Sequence, residues 1–563
     1  MSLPHRPDVL IVGAGPVGLA LGCSLRLHDV DCLVVDRNTG PVKESRATDI
    51  HARTLELCAT LGITNALIAR GKRSHAAWFY SGGHRVAGFS TDELPSPYPF
   101  ILGLPQCATE EVLLARFLEL GGRVLREHSF VKLEQFKDHV TTTLTNAEGK
   151  PFDLESPWLV GCDGSTSAVR KTLGLPFEGD TYEELFLLAD MRIDWPRTSD
   201  ELHLFLTEDG FFMVLPMPDG WVRAFASIPP DRGDLQADRS TFERLIRERV
   251  DGPCEVLETG WIAQFRIHRR MVPRYREGRV FLAGDAAHIH SPVGGQGMNI
   301  GIQDAMNLGF KLALVARNRA HEKLLDSYQV ERHHAAARTL RDTHLATTLS
   351  MLENPFLRIP RDLLGRATQG STALARWMCE LVASFHGDVS DSPAVESTRG
   401  SLLRADVVTD YSTEEPSLYE HLSYSTGTRA GERAPYVRYG ENGDLSSFSL
   451  LASNRHTLLL FDGLARTHEG YLKLDTIAHE VQERFSHVIR PLVVIPDGVR
   501  PLDLAPDVAV IGDPGAKLHE AFAAHAECAF LIRPDGYVAF RCQPAEPDEI
   551  RQFLEKTFVP QDE

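Results

Sequence analysis

The stretch DVLIVGAGPVGLALGCSLRLHDVDCLVVD, residues 8–36, decides the fold of this chain. DVLIV is a short apolar run, GAGPVG follows at Gly13 to Gly18, LALGCSLRLHDV places apolar residues at helical spacing, and CLVVD ends at Asp36. That succession predicts a strand, a tight turn, a helix and a second strand. Gly13 and Gly15 allow the turn and the close approach of a pyrophosphate, Pro16 and Gly18 open the helix, and the helix N-terminus favours phosphate charge. Asp36 stands 18 residues beyond the last glycine, where a carboxylate accepts hydrogen bonds from an adenosine ribose. Strand, helix and terminal acid together make this a dinucleotide-binding fingerprint. The same glycines interrupt the apolar run from Val9 to Leu25, which is therefore no signal segment.

The rest of the chain is ordinary globular sequence. It has 563 residues, 43% apolar and 24% charged, enough for two or three domains. The balance of 59 basic and 77 acidic residues gives −18 with no basic cluster, which argues against nucleic acid as a partner. Nine scattered cysteines without a CxxC pair read as reduced thiols of a cytoplasmic protein. No stretch reaches the roughly 20 apolar residues of a membrane span.

Outward from the first motif, helical patterns run at about 50–61, closed by Gly62, and at about 110–120, closed by Gly121 and Gly122. From about 183 to 228 the runs HLFLT, FFMVLPM and WVRAFASI alternate and are separated by Asp209-Gly210 and Asp219-Gly220, which predicts antiparallel hairpins. Alternation places Trp221, Arg223, Phe225 and Ser227 on one face of the last strand, where a flat aromatic ligand can meet them. Core packing is the favoured reading for most of Phe211, Met213 and Leu215. Residues 300–385 are strongly helical, 386–402 read as a linker, and α/β alternation resumes with TLLLF, LVVI, VAVIG, CAFLI and YVAFR between 457 and 541.

Two further segments carry chemistry. GRVFLAGDAAHIHSPVGGQGMNIGIQDAMNLGFKLA, residues 278–313, predicts a strand ending at Gly284, Asp285 at its edge, and a glycine-rich turn into a long helix starting near Gly297. Such a turn offers backbone N–H groups and a helix dipole to negative charge, as on a reduced flavin. Standing alone, it reads equally as a simple anion-binding corner. LVGCDGSTSAVRKTLG, residues 159–174, is another strand ending in an acid-glycine pair, and Asp163 by itself reads as a helix-start acceptor.

In this order and at these separations the three motifs resemble the class A FAD-dependent monooxygenases over residues 8–345. SRATDIHARTLE at 45–56 and FLIRPDGYVAFR at 530–541 bring the resemblance closest to the three-domain aromatic and polyketide hydroxylases, the group of phenol hydroxylase and rifampicin monooxygenase. The resemblance implies an α/β protein with a Rossmann-type FAD-binding domain (1–75, 106–182 and 262–395) interleaved with a β-sheet substrate domain (76–105 and 183–261). A thioredoxin-like domain lacking CxxC (403–563) completes it. It implies that Gly13, Gly15, Pro16, Gly18, Asp36 and Arg37 serve the ADP half of FAD, with Val131 at the adenine. Arg46 serves the FAD phosphate or ribityl region, Gln106 the chain of the cofactor and Asp285 the ribityl hydroxyls. Asp163 belongs to an acid-glycine motif linked to both FAD support and NAD(P)H use, and Pro292, Gly295, Gly297, Met298 and Asn299 face the isoalloxazine. The activity implied is NAD(P)H-dependent and O2-dependent hydroxylation of a phenolic or polycyclic aromatic substrate through a flavin C4a-hydroperoxide, with NADPH favoured. A homodimer is compatible with it.

Asp49 departs from the family, where a small residue is usual. It reads either as an N-cap for a helix starting at Ile50 or as a carboxylate on the substrate side of the flavin, so Asp49 and Arg223 are the catalytic candidates. His288 and His290 lack a carboxylate or cysteine at metal-ligand spacing, and no metal is expected. The absence of CxxxxC excludes a flavin disulfide reductase, and the absence of WxWxIP speaks against a halogenase. Baeyer-Villiger oxygen insertion on the same scaffold and a non-catalytic flavin-binding module are the alternatives.

Overall fold

The computed structural model describes residues 6–41, 47–232, 235–292, 294–351, 378–379, 383, 385, 388–399, 424, 427–440, 442–451, 454–464, 468–496 and 499–561. Its backbone divides into two compact units: Met1–Arg26, Asp31–Met306 and His333–His386 in the first, Leu27–Val30, Asn307–Arg332 and Gly387–Glu563 in the second.

In the first unit the opening motif folds as its sequence dictates. Val9–Val12 and Cys32–Val35 are parallel strands buried at every position, joined by the helix Pro16–Leu27. Four-residue strands made wholly of apolar side chains suit the middle of a sheet covered on both faces. The sheet runs Arg276–Glu277, Val280–Leu282, Trp158–Gly161, Val9–Val12, Cys32–Val35, Arg123–Leu125, all parallel except the first strand.

A second sheet has eight strands in the order His288–Ile289, Glu255–Met271, Glu178–Asp194, Val222–Ile228, Gly210–Pro216, Glu201–Thr207, Ala76–Ser81, His84–Ser90. The Asp-Gly pairs make the expected hairpins, with Gly210 at φ 106° and Asp219 at φ 57°. Period-two alternation sorts the side chains: Val222, Ala224, Ala226 and Ile228 pack with Phe242, Leu245 and Ile246 of the helix Arg239–Arg249, while Phe225 joins Phe186, Met213 and Leu215 on the other face. Two strands of 17 residues, Glu178–Asp194 and Glu255–Met271, run past the boundaries expected for the substrate domain at 183 and 261.

The second unit is built on a mixed sheet in the order Glu396–Arg399, Val538–Gln543, Ala526–Ile532, His456–Gly463, Ile489–Ile495, Val510–Gly512. His456–Gly463 and Ile489–Ile495 are parallel and joined by the helix His468–Phe485. Ala526–Ile532 and Val538–Gln543 form an antiparallel hairpin followed by the helix Pro547–Thr557. Within the stretch read as a linker, Glu396–Arg399 is instead an edge strand parallel to Val538–Gln543. Its polar sequence hides this, because an edge strand needs only backbone bonds on one side and tolerates charge.

At the heart of this unit Glu331 accepts from both terminal nitrogens of Arg533 at 2.9 and 2.8 Å, from Asn307 at 2.6 Å and from Ser392 at 2.6 Å, with Lys311 Nζ 2.8 Å away. Burial alone would raise the Glu331 carboxyl, but Arg533 and Lys311 outweigh it and hold it far below the usual carboxylate range.

Candidate active site

The first wall of the site is the turn after Val9–Val12. A Cβ at Gly18 would sit 1.9 Å from the Gly13 carbonyl oxygen, so close helix-turn packing demands glycine there. Gly15 is different, because a Cβ there would meet no atom within 4 Å. Its bareness leaves room for a ligand against the backbone, as a pyrophosphate requires. Asp36 ends the second strand and accepts from the Ala14 N–H at 2.7 Å and the Asn38 N–H at 2.8 Å, which fixes a carboxylate beside the turn.

The second wall follows Val280–Leu282. A 3-10 turn at Gly284–Ala286 carries Asp285 exposed at the rim of the cavity. Asp304, in the helix Gln296–Ala316, accepts from the Gly284 N–H at 3.0 Å and from His288 Nε2 at 2.6 Å, so the helix pins the turn from beneath. His288 is thereby engaged structurally. Asn299 accepts from the His51 N–H at 2.9 Å and donates to the Asp49 carbonyl at 2.8 Å and the Gly295 carbonyl at 2.7 Å. Its side chain therefore clamps the glycine loop to the strand Asp49–Ile50.

A cavity of about 360 Å³ lies within the first unit, bounded by Pro16 and Val17 of the first wall and by the second wall; Gly13, Gly15, Gly18, Asp36 and Asn299 do not line it. Pro16, Gln106, Asp285, Pro292, Gly295, Gly297 and Met298 line one side, all of them residues singled out in the sequence. Leu188, Met213, Leu215, Phe225, Phe265 and Ile267 line the other, from the eight-stranded sheet. Phe225 stacks with Phe186 at 5.6 Å and with Phe265 at 6.0 Å between ring centroids, giving a flat apolar surface. Phe211 is core, as expected, while Met213 and Leu215 serve both core and cavity.

Other singled-out residues lie elsewhere. Val131, in the strand Ser129–Gln135, is 49% exposed and Arg37 is exposed; neither lines this cavity. The Asp163 carboxylate accepts from Ser167 Oγ and from the N–H groups of Ala168 and Val169, the helix-start role read from its local sequence. Arg46 lies outside the described residues.

Asp49 corrects the sequence reading. The helix begins at Ala52 with His51 as its cap residue, so Asp49 is no N-cap. It sits in a two-residue strand paired with Gly103 and lines the cavity, only 8% exposed. Burial pushes its carboxyl up to about 6, against the opposing pull of Arg223 and a hydrogen bond from Thr48. Arg223 faces the same cavity and is 2% exposed. It donates to both oxygens of Asp190, at 2.7 and 2.9 Å, while its buried Nη1 meets no acceptor among the described residues. His290, considered from sequence only as a metal ligand, also lines the cavity. With Nδ1 donating to the Ser291 carbonyl at 2.8 Å, its Nε2 is left as an acceptor, and burial holds the ring down to about 4, hence neutral. Only the alternation in QFRIH hinted at Phe265 and Ile267.

A bare backbone at Gly15, a carboxylate beside it, an exposed Asp285 and a glycine loop opposite an apolar sheet suit a protein that holds a dinucleotide cofactor beside an apolar ligand. A family model described as FAD binding domain matches residues 6–343, and the chain belongs to that family of FAD-dependent aromatic monooxygenases, which use NAD(P)H. It is 34% identical to 6-methylpretetramide 4-monooxygenase of Streptomyces rimosus over 556 residues, covering 95% of this chain and 91% of the relative. It is 30% identical to pentachlorophenol 4-monooxygenase of Sphingobium chlorophenolicum over 561 residues, covering 98% and 96%. Among solved structures, the anhydrotetracycline hydroxylase OxyS from Streptomyces rimosus superposes with a TM-score of 0.72 at 30% identity, covering 98% of this chain and 99% of that one.

Proposed function

We propose that the chain hydroxylates a phenolic, multi-ring substrate of polyketide type with NADPH and O2, FAD lying between the Gly13 to Gly18 turn and the Gly295 loop. The observation that carries this reading is one cavity joining the glycine walls to the flat apolar sheet. When bound, FAD would supply the redox chemistry, hydride acceptance from the nicotinamide and activation of O2. The chain's own residues do the rest. Gly15 admits the pyrophosphate, Asp36 takes the ribose hydroxyls, and Asp285 and Gln106 take the ribityl chain. The backbone of Gly295, Gly297 and Met298 stabilises negative charge on the flavin ring. Phe225, Phe265 and Leu215 hold the aromatic ligand flat and exclude water.

The second unit supports a thioredoxin-like reading. What supports it is the strand order, with a parallel pair joined by a helix and then an antiparallel hairpin and a final helix. Its cysteines, Cys528 and Cys542, are buried and free, and the sequence has no CxxC there. No described helix is long and apolar enough to cross a membrane. We place the protein in the cytoplasm, where NADPH is supplied, and expect a homodimer.

Two measurements test the function. The anaerobic rate of flavin reduction by NADPH is measured with and without a panel of phenols and polycyclic quinones, and product mass is taken after O2 is admitted. Stimulation by one compound with a gain of one oxygen supports the reading, whereas a lactone or ester product favours oxygen insertion. Because Asp285 is exposed, Asp285→Ala is expected to fold normally and lose FAD on gel filtration; full FAD occupancy refutes its ribityl role.

A further inference from the structure

Asp49 is a carboxylate where the surroundings least favour one. Its backbone is fixed from two sides, by pairing with Gly103 and by the Asn299 amide on its carbonyl, so the side chain is committed to the cavity. A Cβ at Gly295 would lie 2.9 Å from Asp49 Oδ2, so the carboxylate sits directly against the loop expected to carry the flavin. The nearest cation that influences it, Arg223, is already engaged by both oxygens of Asp190. Asp49, Arg223 and Asp190 therefore sum to one uncompensated negative charge in a largely apolar chamber, a costly arrangement that accepting a proton relieves. Arg223 meanwhile keeps a buried Nη1 group without an acceptor among the described residues. One group needs a proton and the other needs an oxygen anion.

We propose that Asp49 is the base that removes the phenolic proton of the substrate, and that Arg223 Nη1 then holds the resulting oxygen anion. The inference rests on the proposed hydroxylation of a phenol. In the step the substrate O–H bond breaks, its electron pair stays on the ring oxygen, and the proton moves to an Asp49 oxygen. The negative charge thus shifts from the carboxylate to the phenolate beside the guanidinium, which enriches the ring for electrophilic oxygen. Monooxygenation with NADPH consumes one proton as water forms, and this returns Asp49 to its carboxylate form.

The other ionisable groups around Asp49 do not compete for the role. On its own segment, burial holds the His51 ring down to about 3. In the Ser291 loop His290 is neutral and offers an acceptor. In the strand Glu255–Met271, burial lowers His268, whose Nδ1 meets Thr181 Oγ1 at 2.7 Å, and Arg266 donates to the Glu183 carbonyl. Asp285, on the turn Gly284–Ala286, lines the same cavity but stands exposed.

The test uses FAD-loaded wild-type protein and Asp49→Asn, an isosteric change whose retained FAD shows an intact site, with quinizarin as the hydroxyaromatic probe. Hydroxylation of quinizarin is followed as a function of pH. The wild-type rate is expected to rise through a limb near 6, the value of Asp49. At neutral pH the variant is expected to lose about 100-fold or more, the usual worth of a general base, with that limb gone. Its rate should recover to within about 10-fold at alkaline pH, where the phenol ionises unaided. A variant that keeps the wild-type rate and limb overturns the inference, as does a variant that holds FAD yet stays inactive at every pH. A wild-type profile without the limb overturns it without any variant. Wild-type protein that neither binds nor hydroxylates quinizarin overturns the polycyclic reading on which the inference rests, and FAD occupancy, read separately, shows whether the flavin assignment stands.

Discussion

Gly15→Ala and Gly18→Ala separate a glycine required by a ligand from one required by the fold. At Gly15 the added methyl enters open space and the backbone is not left-handed, so flavin-free protein should gain about 0.4–1 kcal/mol through a less flexible unfolded chain. At Gly18 the methyl would lie 1.9 Å from the Gly13 carbonyl oxygen, a backbone atom that moves only with the turn, and the cost is about 1–3 kcal/mol of stability. For FAD the order reverses in cause. The methyl added by Gly15→Ala occupies the surface a pyrophosphate must touch, and overpacking of about 1–3 kcal/mol corresponds to roughly 5- to 150-fold weaker binding. Chemical denaturation of the stripped proteins gives the first quantity, and quenching of FAD fluorescence on titration gives the second. Gly15→Ala binding FAD as tightly as wild type would refute the reasoning, because it would mean that the pyrophosphate does not approach that backbone.

Two further outcomes concern stability. Asp49 carries a carboxyl raised from 3.8 to about 6, so between those values the folded protein binds the extra proton and stability falls as pH rises; the difference is worth about 3 kcal/mol. Asp49→Asn should therefore raise the Tm of flavin-free protein at neutral pH and lose that advantage near pH 4, a pattern that thermal melts across pH will show or exclude. Glu331→Gln removes the carboxylate that Lys311 and Arg533 share, leaving Asp535 to balance two buried cations, and should cost about 3–5 kcal/mol in thermal unfolding. The Glu331 carboxyl is held low, so its contribution is complete above 4.5 and is lost only as pH falls through its lower folded value; wild type and variant should converge in acid.

Motifs whose chemistry is local were legible in the sequence. The strand, turn and helix at 9–35 and the Asp-Gly hairpins stand where their residues put them, because backbone geometry and alternation are encoded within a few positions. Glycine spacing pointed to the 284–299 turn but not to Asp304, which pins it from 20 residues along the chain. Of the two readings of Asp49 the cap fails: a short acid before a helical run looks like one, and only pairing with Gly103, distant in sequence, makes it a strand residue facing a cavity. His290 looked inert because an acceptor role depends on which ring nitrogen the Ser291 carbonyl engages. The edge strand at 396–399 was invisible because its polar sequence has no apolar alternation and its partner strand lies far along the chain.

The two faces of the cavity are written in different parts of the chain's chemistry. On the glycine side a ligand meets chiefly main chain, where an added side chain takes up ligand space, whereas the sheet side offers Leu188, Met213 and Phe225, which pair with one another across three adjacent hydrogen-bonded strands. Replacing one of these with another β-compatible side chain reshapes the chamber and leaves every rung of the ladder in place. Oxygen chemistry and ring recognition are thus separately adjustable. A library confined to those three positions should yield enzymes with new ring preferences that still load FAD as the parent does.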